Sequence, residues 1–124
     1  MFQGWIFMMR IDGKTYICTL DYGIELIKGK WKALAICHLD KKPQRFSELQ
    51  KKIGNVSQKV FTQGLKELER DGIIKRKVFP ELPPRVEYTL TEQGKLLFLS
   101  LDMLKKWTDD YIETVQKKVE IVTE

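Results

Sequence analysis

The spacing of apolar residues in this 124-residue chain is helical, becomes alternating for one short region, and then turns helical again. In RVEYTL, Val86, Tyr88 and Leu90 alternate with polar side chains, as in a strand that buries one face. The preceding IIKRKVF is the partner strand, and PELPP forms the tip because proline cannot join a strand ladder. One antiparallel hairpin within a helical chain predicts an α+β, mostly α fold.

Three helices are predicted in the first half of the chain. The first lies in LDYGIELIKGKW and is interrupted near Gly29, and the second is expected to end before Lys41. The third spans residues 45 to 53, with Ser47 and Gln50 as a candidate capping box. The apolar stripes expected to be buried are Trp31, Leu34, Ala35 and Leu39 in the second helix, and Phe46, Leu49 and Ile53 in the third.

A fourth helix is predicted in VSQKVFTQGLKELERDG, capped by Ser57 and ended by a left-handed Gly72. Acidic side chains would complement the positive end of a helix dipole, yet none occurs before Glu67 and Glu69, which are expected to face solvent. The residues expected to pack on the preceding helices are Val60, Phe61, Leu65 and Leu68. The first two turns instead carry hydrogen-bonding residues that are free of negative charge: Ser57, Gln58, Lys59, Thr62 and Gln63.

The first 17 residues form an N-terminal arm in which a short hairpin is predicted. WIFMMRI and KTYI flank Asp12-Gly13, a pair that suits a two-residue type I′ turn. The apolar start lacks the basic region and the small-residue cleavage site of a secretory signal, so a cytoplasmic location is expected. No apolar run approaches the roughly 18 residues that a membrane span needs, so no membrane partner is expected.

The last helix begins at a Thr91 cap and carries two adjacent apolar rows, whereas a surface helix needs only one. One row is Leu97, Leu101, Leu104, Tyr111 and Val115, and the second is Leu96, Leu99, Met103 and Trp107. Two rows predict contact with a second subunit as well as with the body of the domain. The alternative is a helix that folds back over a broad core. The predicted dimer interface is Leu97, Leu101, Leu104, Trp107, Tyr111 and Val115.

Helices, a two-stranded ribbon and a long C-terminal helix, in this order, predict a winged helix-turn-helix over residues 18–91 and a dimerisation helix over residues 92–124. In that fold the second helix of the turn enters the DNA major groove with its N-terminal residues. Ser, Lys and Thr donate to phosphates, and Gln pairs with adenine. The polar start of the fourth helix therefore fits double-stranded DNA. Four cations, Lys75, Arg76, Lys77 and Arg85, lie on or near the predicted hairpin.

The charge distribution agrees with a polyanionic partner. Residues 41–85 hold 12 basic and 5 acidic side chains, whereas residues 86–124 hold 5 basic and 8 acidic ones. The formal charge of +5 is thus concentrated in the segment that contains the predicted recognition helix and wing. Two alternatives remain open for these basic residues: they could form a solvated surface of Lys and Arg, or they could protect an exposed strand edge.

Four blocks of this sequence resemble the HxlR-type transcriptional regulators, a branch of the MarR-like winged-helix proteins. The blocks are ELIKGKW, RFSEL, VSQKVFTQGLKELERDGII and PPRVEYTLTEQGKLL, within roughly residues 18 to 107. The resemblance implies a homodimeric bacterial regulator, more often a repressor, that binds operator DNA through its winged helix. It adds Arg45 to the DNA-contacting residues and matches Arg85 to the family's wing position; Lys66 on the fourth helix is also predicted to contact DNA. Gly64 departs from the helix formers usual at its position and costs about 1 kcal/mol of helix propensity.

Cys18 is the candidate redox sensor, because many members of this family carry a cysteine just ahead of the first helix. A thiol at a helix N-terminus can react as the thiolate with a small electrophile or oxidant. Thr19 stands where the family usually has Pro, and the alternative is that Cys18 is a small buried apolar residue. Cys37 is expected in the core, and His38 is expected to be structural.

An enzyme is not predicted. One histidine, no Gly-rich phosphate loop and no cysteine spacing for zinc leave no catalytic or metal site, and no cofactor is expected. Winged helices also serve as protein-interaction modules, which is the alternative function. In that case the long apolar helix would bind a different partner and no operator would be bound.

Overall fold

The computed structural model describes residues 8–122 and has nine regular elements within them. A small hairpin comes first, four helices follow, then a second hairpin and a long final helix. The elements are β1 (Met9–Ile11), β2 (Lys14–Tyr16), α1 (Thr19–Leu26), α2 (Lys30–Lys41), α3 (Phe46–Ile53), α4 (Gln58–Arg70), β3 (Ile74–Phe79), β4 (Arg85–Leu90) and α5 (Glu92–Thr114). This order confirms the predicted winged helix-turn-helix.

The N-terminal hairpin is confirmed over its described part. Ile11 pairs with Lys14 across Asp12 and Gly13, whose φ angles of 49° and 80° are those of a type I′ turn. Tyr16 is buried, and its ring meets that of Tyr22 edge to face at 5.1 Å. The hairpin is therefore packed against α1. The start of the predicted first strand, residues 5 to 7, lies outside the described residues.

The buried face of α2 is rotated relative to the prediction. Ala35 and Leu39 are buried as expected, but Leu34 is 42% exposed and Ile36 takes its place in the core. The predicted stripe was wrong at this one position. The buried residues of α2 are Lys32, Ala35, Ile36 and Leu39.

The capping of α3 differs from the prediction. Arg45 is the N-cap, and its backbone N–H donates to the Glu48 carboxylate at 2.9 Å, which also lowers the pKa of Glu48. Ser47 and Gln50 lie too far along the helix to form the predicted capping box. Leu49 is fully buried, with Phe46 and Ile53 partly buried beside it.

Both ends of α4 are as predicted. The Ser57 hydroxyl accepts from the Val60 N–H at 3.2 Å, and Gly72 has a φ angle of 76°. The Gly72 N–H donates to Glu69 and the Ile73 N–H donates to Leu68, which is the Schellman arrangement. This motif ends the helix and directs the chain into β3.

The second hairpin is the wing, and a third segment joins it that the sequence did not indicate. Strands β3 and β4 pair in register from Ile74 with Leu90 to Phe79 with Arg85. Gln44, in the loop before α3, forms a one-residue bridge to β4: its N–H and carbonyl both bond to Tyr88, at 3.1 and 2.8 Å. The wing is therefore tied to the start of the helix-turn-helix.

Helix α5 packs on the body only through its first half. Leu97, Phe98 and Leu101 are partly buried against the core, and Gly94 allows close approach, because a Cβ there would lie 2.1 Å from the Ile73 carbonyl oxygen. Helix α5 ends at Thr114, so the predicted C-terminal helix is shorter than residues 92–124. Ile112 is half-buried. The other large apolar residues of α5 are exposed, and the exposed row continues to the residue that follows the helix: Leu96, Leu99, Met103, Leu104, Trp107, Tyr111 and Val115.

Candidate nucleic-acid interface

The start of α4 presents polar side chains to solvent. Lys59, Gln63 and Lys66 lie at four- and three-residue steps, so they share one helix face, and all three are exposed. Ser57 and Gln58 are also exposed, and the first turn contains no acidic residue. The predicted set is thus brought together at one end of α4. Thr62 also belongs to this set but is half-buried.

The opposite face of α4 is packed differently from the prediction. Val60 was expected in the core but is 53% exposed. The buried residues are Phe61, Gly64, Leu65 and Leu68, so a glycine occupies a core position. Because helix α4 follows 3.6 residues per turn, Phe61, Leu65 and Leu68 define a face from which Val60 points away.

Gly64 makes room for the Trp31 indole. A Cβ at residue 64 would lie 2.0 Å from the nearest Trp31 ring atom. The Trp31 ring also lies 5.1 Å from the Phe61 ring, and Phe61 in turn lies 5.0 Å from Phe46. The glycine that sequence propensity disfavours therefore allows one aromatic side chain from α2 to pack directly on the α4 backbone. This close contact sets the distance between the two helices.

A partly buried ion pair joins the same two helices. Lys32 Nζ donates to Glu67 Oε1 at 2.7 Å, and only 10% of the Lys32 side chain is exposed. The hydrogen bond and charge of Lys32 lower the pKa of Glu67. The expectation that Glu67 faces solvent was wrong, whereas Glu69 is exposed as predicted. Glu67 thus contributes to the placement of α4 and leaves no free carboxylate near its polar start.

The wing presents three exposed cations. Lys75, Arg76 and Lys77 are exposed on β3, and within residues 8–122 none of them has a carboxylate within ion-pair distance. Arg85 differs: it bonds to Glu87 and Glu81 and is only partly exposed. Its cation is already neutralised within the wing.

Arg45 is exposed at the start of α3. Its side chain makes no ion pair among the described residues, as is true of Lys59 and Lys66. These exposed cations on α3, α4 and β3 can attract polyanions, because no carboxylate among the described residues pairs with them at short range.

The two cysteines are free and both are half-buried. Cys18 is the N-cap of α1 and follows Ile17, whose backbone N–H donates to Asp21 at 2.9 Å. Cys37 was expected in the core, and that was wrong. Burial raises the pKa of the Cys37 thiol, and Asp102 and Asp40 raise it further, which disfavours its thiolate.

His38 is half-buried, and burial lowers its pKa, with Lys52 and Lys41 adding to the effect. Its carbonyl accepts from the Gln44 side-chain amide at 2.8 Å, which helps to hold the loop before α3. Across residues 8–122 no cluster of three or more His, Cys, Asp or Glu side chains could hold a metal ion. In the same part of the chain, no helix combines the length and the apolar character needed to cross a membrane.

Sequence reasoning did not find three residues that position this surface. The side-chain partner of Lys32 lies 35 residues away, and the backbone of Gln44 pairs with Tyr88, 44 residues away, so no local pattern could reveal these contacts. Gly64 was noted only as an unusual residue. The signal available was its position in the apolar stripe of α4, four residues before Leu68.

Comparisons with known proteins agree on one family. The profile of a family described as HxlR-like helix-turn-helix matches residues 26–116. An HTH-type transcriptional regulator of Methanothermobacter thermautotrophicus is 45% identical over 96 residues, which cover 77% of this chain and 73% of that protein. The HTH-type transcriptional regulator YtcD of Bacillus subtilis is 43% identical over 105 residues, covering 85% of this chain and 83% of YtcD.

Solved structures give the same result. The crystal structure of YtcD superimposes with a TM-score of 0.71 at 44% identity, covering 76% of this chain and 96% of that one. The redox regulator HypR in its oxidized form superimposes with a TM-score of 0.71 at 32% identity, covering 84% of this chain and all of HypR. The similarity extends over nearly the whole length of both solved chains.

The Lys32–Glu67 pair predicts a pH-dependent contribution to stability. We expect Glu67→Gln to lower the free energy of unfolding at pH 7 by about 1 kcal/mol, because it leaves the buried Lys32 ammonium without a charged partner. The pKa of Glu67 lies below its ordinary value of 4.5 in the folded protein. The pair therefore stabilises the fold above pH 4.5 and ceases to do so as the pH falls through the folded-state pKa.

The measurement is urea unfolding of wild type and Glu67→Gln from pH 7 down to pH 3. The two stabilities should converge as the pH falls. Glu69→Gln is the matched control, because Glu69 is exposed on the same helix and should show little difference at any pH. A constant difference between wild type and Glu67→Gln across this range would contradict the assignment.

Proposed function

Because this chain belongs to the HxlR-like helix-turn-helix family of transcriptional regulators, we propose that it is a cytoplasmic homodimer that binds operator DNA sequence-specifically and represses transcription. The observation that carries the proposal is the composition of two exposed segments, the start of α4 and strand β3 of the wing. The start of α4 combines amides, hydroxyls and lysines with no acidic residue in its first turn, and unpaired cations of the wing follow directly after it in the chain.

Each of these segments has its own task in the proposed complex. The N-terminal part of α4 enters the major groove, where Gln58 and Gln63 can pair with the edge of adenine. Lysine side chains and hydroxyls contact phosphates, which fix the register but carry no sequence information. The residues proposed for phosphate contact are Arg45, Ser57, Lys59, Thr62 and Lys66 on the helices, and Lys75, Arg76 and Lys77 on the wing.

We expect the combined substitution of Gln58, Lys59 and Gln63 by Ala to weaken operator binding roughly tenfold or more, because base-edge pairs and one phosphate contact are lost. The slope of log affinity against log salt should flatten by about one, the contribution of a single lysine. Fluorescence anisotropy with promoter fragments at several salt concentrations measures both quantities.

Lys118→Ala is the matched control for lost charge, since Lys118 is exposed beyond the end of α5. It should leave the affinity and the slope unchanged. Unchanged binding by the triple variant, or a wild-type slope near zero, would favour the alternative of a protein-interaction module.

The proposed dimer forms through the outer row of α5, which is the set of exposed apolar residues Leu96, Leu99, Met103, Leu104, Trp107, Tyr111 and Val115. This row exposes seven large apolar side chains, and Trp107, which stacks on Tyr111 with ring centroids 5.0 Å apart, is 60% exposed. Leu20 and Ile24 on α1 are exposed as well. An extended apolar patch of this kind marks an interaction surface. Of the predicted interface residues, Leu97 and Leu101 already pack against the core, so the proposal now rests on the outer row.

A second copy of this chain is the partner that suits a protein that reads operator DNA with a helix. Two-fold symmetry sets the two α4 helices about one turn of duplex, roughly 34 Å, apart, so that they read an inverted repeat. Burial of the same apolar row on both subunits supplies the association energy through the hydrophobic effect. Residues proposed for the interface are Leu96, Leu99, Met103, Leu104, Trp107, Tyr111 and Val115.

We expect Leu99→Glu together with Met103→Glu to convert a dimer into a monomer, because four like charges would face each other across the two-fold axis. Light scattering should report twice the 14.6 kDa chain mass for the wild type and a single chain mass for the variant. Leu82→Glu is the control, since Leu82 is fully exposed at the wing tip and its change should leave the mass at that of a dimer. A wild type that stays monomeric at micromolar concentration would refute the proposal.

Redox or electrophile sensing is the proposed mode of regulation. The similarity to HypR, described as a redox regulator, and the place of Cys18 at the start of α1 support it. The Cys18 thiolate sulfur would add to a ring carbon of a quinone or to a nitrogen of the diamide N=N bond; the double bond opens, its electron pair takes up a proton, and a bulky group is attached beside α1. If the exposed apolar residues of α1 belong to the same surface as the proposed interface, such a group would shift one subunit relative to the other.

We expect diamide or a quinone to weaken operator binding by the wild type and to have no effect on Cys18→Ser. Cys37→Ser is the matched control, because the raised pKa of Cys37 disfavours its thiolate, and this variant should keep the wild-type response. Anisotropy titrations before and after treatment measure the effect. Loss of the response in Cys37→Ser with its retention in Cys18→Ser would reverse the assignment.

A further inference from the structure

One face of the wing carries two cations, one carboxylate and one aromatic ring. In the β3–β4 register Lys77 lies opposite Glu87, and Phe79 lies opposite Arg85. Side chains of directly opposite residues share a face, and residues two apart on a strand share it too. Lys77, Phe79, Arg85 and Glu87 are therefore four neighbours on one surface of the hairpin.

Within this group Arg85 is held from three sides. Its Nη1 donates to Glu87 Oε2 at 2.8 Å, and its Nη2 donates to Glu81 Oε1 at 3.1 Å. The guanidinium carbon lies 3.8 Å from the Phe79 ring centroid, and 27% of the side chain is exposed. A guanidinium that already serves two carboxylates and an aromatic face has little capacity left for a phosphate.

Lys77 has the opposite character. It is exposed, its Nζ lies 4.9 Å from the Phe79 ring centroid, and no carboxylate in the described part of the chain pairs with it. Its cross-strand neighbour Glu87 is the natural partner, because opposite charges directly across two strands attract each other. Glu87 instead points its carboxylate at Arg85.

We propose that Arg85 is a positioning residue of the wing: by holding the Glu87 carboxylate, it leaves the Lys77 ammonium free to contact the DNA backbone. This inference rests on the proposed operator binding and replaces the expectation that Arg85 contacts DNA directly. Without Arg85, Glu87 would pair with Lys77, and the wing would lose a phosphate contact and present an uncompensated carboxylate at Glu81.

The test compares operator affinity and salt slope for wild type, Arg85→Gln, Lys77→Gln and two double variants. Arg85→Gln should bind roughly three- to tenfold more weakly with the slope flattened by about one, although it removes no phosphate ligand itself. Adding Glu87→Gln should restore both quantities, since Lys77 is free again and the net charge equals that of the wild type. Adding Lys77→Gln should flatten the slope no more than Lys77→Gln alone does, because the same single phosphate contact is lost in both proteins.

Direct phosphate contact by Arg85 gives a different result. The Arg85→Gln/Glu87→Gln protein would then keep the flattened slope, and Arg85→Gln/Lys77→Gln would flatten it by about two. Either outcome overturns the inference, as does wild-type binding by Arg85→Gln. A wild type without any salt dependence would instead refute the proposed operator binding. Urea unfolding of each variant identifies one whose wing is damaged. Arg85→Gln/Glu87→Gln, which removes both partners of the ion pair, keeps the inference testable if Arg85→Gln alone is unstable.

Discussion

The contact between α2 and α4 determines where the recognition helix lies. Trp31 packs directly on the backbone of Gly64, and the Lys32–Glu67 ion pair closes the same helix pair nearly one turn further along. Any side chain larger than hydrogen at residue 64 would require the Trp31 ring or the two helices to shift. The polar start of α4 adjoins this contact, because Lys59 and Gln63 line the same cleft as Trp31 and Gly64. The placement of the polar face therefore depends on how α2 and α4 meet.

Hydrogen bonds between residues that are distant in sequence connect the wing and α5 to the helix-turn-helix. Gln44 pairs with Tyr88 and so connects the loop before α3 to the wing. Thr91, the cap of α5, donates to the Ile73 carbonyl and accepts from Gly94, which joins α5 to the turn that follows α4. Recognition helix, wing and α5 therefore share one framework, and the cations on it keep fixed relative positions.

Local chemistry was sufficient to predict most of the elements. Ser57, Gly72 and Thr91 act within a few residues of their own position, and their caps were found because capping depends on residue type and immediate neighbours. The alternation in RVEYTL and the turn at Asp12-Gly13 were equally local signals. For the same reason the sequence indicated which residues lie at the exposed start of α4.

The errors arise where packing between distant segments decides the outcome. Val60 and Leu34 are apolar residues at plausible helical spacing, yet the way the helices meet places Gly64 and Ile36 in the core instead. Glu67 was assigned to solvent because nothing near it in the sequence reveals Lys32.

The close approach of Gly94 to Ile73 has a mechanical consequence for the proposed dimer. Helix α5 begins against the turn that follows α4, with no flexible linker between α5 and the DNA-binding part of the chain. In an assembly joined through the far half of α5, this 23-residue helix would act as a rigid lever. A small change in the angle at which the two α5 helices cross would produce a larger change in the distance between the two α4 helices.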